Sequence, residues 1–249
     1  MEITANYKKS FIKAVILANK EICTYIDEKI TLNDYEYTNI NGFGGDNSLK
    51  IDLIFEEIFI KHLLEFGNIY SEECGFIDNS KKTTIIIDPL DGSNNFYSQI
   101  PYYGTSVALK IDEKIVAGFV TNLITKTIIY KAFEDDVKYY SLINMKEFTP
   151  LKTNKSKIAI FERAYKYPKI CEKLYQNNIK FRTLGAVALS LSNTRDYEFV
   201  LFAGNIREFD VEAALYICSD LYIYRTKDYL FITKYKEKYD LFKEIINHF

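Results

Sequence analysis

An α/β (α+β) fold is predicted by three patterns in this 249-residue chain. The run Ile85-Ile86-Ile87 is β-branched and apolar, as expected of a strand covered on both faces. Residues 103–111, 114–122 and 125–133 alternate around Asp-Glu-Lys and Leu-Ile-Thr turns and read as an antiparallel meander. Beyond residue 157, strands at 157–161, 180–183 and 198–202 alternate with helices at about 167–177, 186–194 and 208–219, which marks an α/β half. The polar, Lys-rich segment 150–157 is taken as the link. The expected division is therefore 1–150, an α+β half with the antiparallel sheet, and 151–249, an α/β half.

In chain order, the apolar stretch around 11–18 is broken by Lys13 and bounded by Lys20, so it reads as an amphipathic helix rather than a membrane span. The first six residues lack the basic start of a signal peptide. A second helix is expected over 48–66, with Ile51, Ile54, Phe55, Ile58, Leu63 and Phe66 on its buried side and Asp46 at its N-terminal approach, where a carboxylate gains from the dipole. Residues 68–75 read as a short strand that ends in Glu72-Glu73 and turns at Gly75.

The segment Asp88-Pro89-Leu90-Asp91-Gly92-Ser93 carries the chemistry. Pro89 cannot continue a central strand, so the chain is expected to turn there, with Asp88, Asp91 and the Leu90 carbonyl on one side as three hard oxygens. Gly92 permits close backbone approach, and Ser93 can cap a following helix and leave N–H groups facing an anion. A cation and a phosphate could sit side by side, although Pro, Asp and Gly are also the commonest residues of a plain tight turn. Divalent ions held by two Asp usually need more carboxylates. Glu72 and Asp210 can supply them; alternatively, Glu72-Glu73 is a solvated edge and Asp210 serves its own helix dipole.

Five motifs together, Gly44-Gly45-Asp46 leading to Lys50-Ile51-Asp52, Ser71-Glu72-Glu73-Cys74-Gly75, Asp88-Pro89-Leu90-Asp91-Gly92-Ser93, Leu184-Gly185-Ala186-Val187-Ala188 and Phe209-Asp210-Val211-Glu212-Ala213-Ala214, carry a resemblance that spans nearly the whole chain. It resembles the inositol monophosphatase superfamily of magnesium-dependent, lithium-sensitive phosphatases, and in motif form the archaeal-type inositol monophosphatase/fructose-1,6-bisphosphatase branch. The resemblance implies a layered α-β-α-β-α sandwich. It implies that Glu72, Asp88 and the Leu90 carbonyl hold one Mg²⁺, that Asp88, Asp91 and Asp210 hold a second, and that a third, mostly hydrated ion lies near Glu72, two to three ions in all. Asp46 and Ser93 match the pair that orients and deprotonates the attacking water, with Glu72 contributing, so Asp46, Glu72 and Ser93 are the implied catalytic residues. The N–H groups of Gly92 and Ser93 would hold the phosphate, and Gly185, Ala186 and Arg207 would contact the rest of the substrate.

The chain departs from the family pattern in two places. Phe209 stands where a Trp is usual, and Glu212 stands at a small-residue position, where it either points to solvent or crowds the pocket. The usual Glu-Ala-Gly-Gly turn is replaced by Cys218-Ser219-Asp220-Leu221-Tyr222-Ile223, so the connection to the last strand must be built differently. Arg207, Arg163, Lys166 and Arg182 are candidates to meet a second phosphate.

Composition excludes other classes. With 32 basic and 34 acidic side chains and a net charge of −2, no nucleic-acid-binding stripe is expected, and no membrane association. The aromatic excess, 21 Tyr and 18 Phe without Trp, reads as core filling. Cys23, Cys74, Cys171 and Cys218 lack paired spacing and indicate reduced thiols in a cytoplasm; Cys74 is expected to be a small apolar filler. His62 reads as structural, and His248 has no partner pattern. The expected activity is Mg²⁺-dependent hydrolysis of a small phosphorylated polyol or sugar, inositol 1-phosphate first, with fructose 1,6-bisphosphate or 3′-phosphoadenosine 5′-phosphate as alternatives. The reading from another class is a non-catalytic regulatory binding protein that keeps the fold. A homodimer is expected from the family.

Overall fold

The computed structural model describes residues 4–153 and 156–246; His248 and the first three residues lie outside that range. Thr4 caps the first helix, α1 (Ala5–Glu28), by accepting from the Tyr7 N–H. Its apolar stripe buries Phe11, Val15, Ala18 and Ile22. A two-stranded hairpin, β1 (Tyr37–Asn41) and β2 (Asn47–Leu49), leads into α2 (Lys50–Leu63), whose first turn is closed by Asp52 accepting from the Leu49 N–H. A 3₁₀ turn extends α2 to Phe66. His62 bonds Glu21 at 2.7 Å and so ties α2 to α1.

The first sheet contains β3 (Asn68–Ser71), β4 (Gly75–Ile77), β5 (Thr83–Asp91), β6 (Gly104–Ile111), β7 (Lys114–Asn122), β8 (Thr127–Ala132), β9 (Lys138–Ser141) and β10 (Lys146–Phe148), with α3 (Ser93–Tyr97) between β5 and β6. Its order is β10-β9-β8-β7-β6-β5-β3-β4, and only the β3–β5 pairing is parallel. The turn expected at Pro89 is instead a bulge. Strand β5 runs on to Asp91, and its register with β6 shifts between Asp88 and Asp91, so Pro89, which has no N–H to give, sits where the ladder is already interrupted. The meander matches its expected position but continues through β9 and β10, which sequence patterning missed.

The second sheet contains β11 (Ala159–Glu162), β12 (Phe181–Arg182), β13 (Val200–Ala203), β14 (Tyr222–Arg225) and β15 (Tyr229–Thr233), in the order β12-β11-β13-β15-β14. Its helices are α4 (Pro168–Gln176), α5 (Val187–Ser192), α6 (Glu208–Ile217) and α7 (Lys236–Ile246). The connection after Cys218 is a tight turn, in which the Leu221 N–H donates to the Cys218 carbonyl, and it leads to two antiparallel strands rather than one.

Alternating strand residues define the layers. Ile85 and Ile87 of β5 face a core shared with α1 and α2, whereas Ile86 faces a second core built with α5, α6 and the inner face of the second sheet. In β13, Val200 and Phe202 join that second core, and Leu201 and Ala203 join a third under α4 and α7. The result is the α-β-α-β-α sandwich. Helix α6 lies so close on β7 that a Cβ at Gly118 would stand 2.3 Å from the Ala213 carbonyl oxygen.

Three side chains differ from expectation. Glu212 neither points to open solvent nor enters the pocket, because Arg225 on β14 binds it at 2.9 Å and leaves its side chain 18% exposed. Cys74 is exposed rather than a core filler, and partial desolvation and the nearby Glu56 carboxylate push its thiol up to about 12. Arg182 is exposed, donates to the Phe181 carbonyl, and does not line the pocket.

Candidate active site

The parallel register of β3 and β5 sets the first two acids. Ser71 pairs with Ile87, and the Glu72 N–H donates to the Ile87 carbonyl, so the next residues along the two strands, Glu72 and Asp88, emerge side by side. The third, Asp210, comes from the first turn of α6, 3% exposed. Carboxylate oxygens of Glu72, Asp88 and Asp210 lie within 4.8 Å of one another. Such all-oxygen donors without His or Cys suit a hard divalent cation, and three acids this close, two of them buried, are costly without one.

Asp91 is held differently. Its two oxygens accept from the N–H groups of Val187 at 2.7 Å and Leu189 at 2.8 Å, at the start of α5. Asp88 accepts from the Leu90 N–H at 3.0 Å, which fixes the bulge. Both Asp88 and Asp91 are buried, and Leu90 beside them lines the same pocket. Gly92 adopts φ 92°, a left-handed turn suited to glycine. A Cβ there would also meet that of Ala186 at 3.0 Å. Ala186 is therefore a buried spacer under Gly92, 1% exposed, while Gly185 and Val187 line the pocket.

Asp46 reaches the site through its loop, not through α2. The N–H groups of Phe43 and Gly44 donate to the carbonyls of Glu73 and Glu72, at 2.9 and 2.7 Å, and pin the β1–β2 turn onto the Glu72 corner. Arg207, the residue before α6, then joins everything. Its guanidinium contacts Glu72 at 2.7 Å and Asp46 at 3.0 Å, and grips both oxygens of Asp210 at 3.0 Å. Phe209, in the usual Trp position, is 4% exposed, packs 5.0 Å from the Tyr70 ring and helps seat this turn.

Electrostatics follow from burial. Desolvation pushes Glu72 up to about 8 despite the Arg207 charge beside it, with Asp210 and Glu73 adding to the rise. Asp91 is pushed up to about 7 by burial, against the pull of its two N–H partners. Burial and the neighbouring acids hold Asp88 well above the usual carboxylate range.

Sequence reasoning missed Glu162 and Asn95. Glu162 is 1% exposed and accepts from the Gly185 N–H at 3.0 Å and the Ser190 hydroxyl at 2.5 Å; an acid ending the apolar run 158–161 was the signal available. Asn95 donates to the carbonyls of Tyr102 and Leu184 and ties α3 to the Gly185 turn. The whole lines a pocket of about 290 Å³ that contains Asp46, Glu72, Asp88, Asp91, Ser93 and Asp210. A second crevice reaches from Asp46 and Ser93 to Arg163, Tyr165, Lys166 and Asn205.

The chain is similar in sequence and fold to known phosphatases. A fructose-1,6-bisphosphatase of Pyrococcus furiosus is 31% identical over 177 residues, 65% of this chain and 66% of that protein. A fructose-1,6-bisphosphatase/inositol-1-monophosphatase of Methanocaldococcus jannaschii is 31% identical over 209 residues, 81% of this chain and 78% of that one. The crystal structure of an inositol monophosphatase–fructose 1,6-bisphosphatase superposes with a TM-score of 0.78, covering 94% of this chain and 99% of that chain at 21% identity, which is a likeness of fold. The profile of the inositol monophosphatase family matches residues 46–220, from the Asp46 turn through the Asp210 helix, and the chain belongs to that family of phosphatases.

Proposed function

We propose that the protein is a Mg²⁺-dependent phosphomonoesterase that acts on a small phosphorylated polyol or sugar, inositol 1-phosphate first. The observation that carries this reading is the convergence of Glu72, Asp88 and Asp210 within 4.8 Å in a pocket that also contains Gly92, Ser93 and Asp46. Glu72, Asp88, Asp91 and Asp210, with the Leu90 carbonyl, would hold two to three divalent ions. When bound, these ions supply charge neutralisation for the transferring phosphoryl group and for the oxygens in line with it.

The chain's own groups would do the rest. The N–H groups of Gly92 and Ser93 hold the phosphate oxygens. Asp46 and the Ser93 hydroxyl orient and deprotonate the attacking water, with Glu72 contributing. The water oxygen bonds to phosphorus as the ester P–O bond breaks, and the alcohol leaves with a proton from solvent. Gly185 borders the substrate's ring. Phosphate release from inositol 1-phosphate, fructose 1,6-bisphosphate and 3′-phosphoadenosine 5′-phosphate with Mg²⁺ tests the proposal; release from none of them overturns it.

Fructose 1,6-bisphosphate is the second reading. Arg163 and Lys166 line the adjoining crevice, where a second phosphate could meet them, and the P. furiosus and M. jannaschii relatives both carry bisphosphatase names. Two further proposals come with the reading. A cytoplasmic location is supported by four free cysteines, and no helix among the described residues is long and apolar enough to cross a membrane. A homodimer is supported by exposed Ile143, Met145 and Phe148 near one sheet edge, and light scattering of the purified protein tests it.

A further inference from the structure

Arg207 is committed throughout. Nε and one terminal nitrogen fork onto both oxygens of Asp210 at 3.0 Å. The other terminal nitrogen reaches Glu72 at 2.7 Å, Asp46 at 3.0 Å and the Gly44 carbonyl at 3.2 Å. The side chain is 19% exposed. A Cβ at Gly44 would stand 3.0 Å from this nitrogen and 2.7 Å from Glu72, so the glycine lets the loop close over the ion pair.

Two of the three acids Arg207 binds, Glu72 and Asp210, belong to the trio that could ligate one cation. A planar guanidinium gripping both oxygens of a carboxylate competes with a metal ion for them.

We propose that Arg207 is a resident cation of the carboxylate cluster, which stands in for one divalent ion on the Asp46–Glu72 side and thereby limits how many ions the pocket takes and how tightly. The inference rests on the metal-dependent reading and assigns Arg207 to the metals rather than to a substrate phosphate. It acts as a positioning and specificity residue for the cation.

The test is Mn²⁺ binding to chelator-stripped full-length protein, counted by electron paramagnetic resonance and titration calorimetry, with no substrate present. Wild type is expected to take two ions. Arg207→Met, which keeps length and removes charge, is expected to take a third or to bind its loosest ion at least ~10-fold tighter, roughly 1.4 kcal/mol. It should also melt lower than wild type in chelator and gain more on Mn²⁺ addition. If the Met variant does not fold, Arg207→Lys serves, because a point charge cannot hold Asp210 and Glu72 together and binding should tighten by a smaller factor. An unchanged or weakened isotherm in the folded variant, with wild type binding normally, overturns the role of Arg207 alone. No Mn²⁺ uptake by either protein overturns the metal-dependent reading, and the inference with it.

Discussion

The floor and the rim of the pocket are built by different rules. Glu72 and Asp88 leave adjacent parallel strands at one register, and Asp210 projects from a helix buried between two sheets, so the floor is fixed by elements that cannot shift without unpairing a sheet. The rim includes a 3₁₀ turn, Ala164–Lys166, entered through Arg163 at φ 63°, with Asn205 and the β1–β2 turn beside it. Tyr165 on it is 75% exposed. On the proposed reading the reaction is anchored in the core, and the choice of substrate is left to a segment whose sequence can change at little structural cost.

Neutralising the floor should produce the largest effect. Asp88→Asn and Asp210→Asn are each expected to lower turnover by about 10³-fold or more, because the cation loses a charged ligand. Asp91→Asn is also expected to lower it by orders of magnitude with folding intact; near-normal turnover would remove Asp91 from the site. The Asp88→Asn protein should nevertheless melt higher than wild type in chelator, by about 2–4 °C for each kcal/mol of repulsion removed. Phosphate release and a melting curve on the same preparation decide it, and a lower chelator melting point would mean that the acids are not in conflict.

The pH dependence of the metal-free protein comes next. Glu72 and Asp91 are raised to about 8 and about 7 from ordinary values of 4.5 and 3.8, so between these limits the folded state binds more protons than the unfolded one. Stability therefore falls as pH rises from about 5 to about 8. Saturating Mg²⁺ should flatten that slope, since the cation takes over the role of the protons. Melting temperatures across that range, with and without chelator, check both halves; equal slopes would place the ion elsewhere.

Part of the floor was legible from residues alone. From residues alone Asp88 and Asp91 read as a candidate metal turn, whereas Glu72 and Asp210 read equally as a solvated edge and a helix-dipole acid and joined the set through the family resemblance; the isoleucine run, the meander and the helices around 167–177, 186–194 and 208–219 showed their period. Other elements had no such signature. All three residues of β10 are exposed, so no alternation marks it, while β14, β15 and α7 follow the segment where the family's glycine turn is missing. The role of Arg207 was hidden for another reason. Its partners Asp46 and Gly44 are 161 and 163 residues away, and only the pinning of one turn onto another brings them together.

Glu162 and Arg163 place floor and rim on consecutive residues. Glu162 turns inward, where it holds the Gly185 N–H and, through Ser190, a buried hydroxyl 3.2 Å from Tyr102. Glu162→Gln keeps the shape but turns its amide NH₂ toward the Ser190 hydroxyl, which must then accept rather than donate, so kcat should fall about 10-fold with little change in KM. Arg163 turns outward, its guanidinium 4.7 Å over the Phe202 ring, and borders the crevice beside Ser93. Arg163→Ala is expected to raise KM for fructose 1,6-bisphosphate about 10-fold, the loss of one charge-assisted contact, and to change KM for inositol 1-phosphate less than about 3-fold. Equal effects on the two substrates would mean that Arg163 supports the turn rather than reads a second phosphate, and the division between a fixed floor and a selective rim would then have to be redrawn around Lys166 and Asn205.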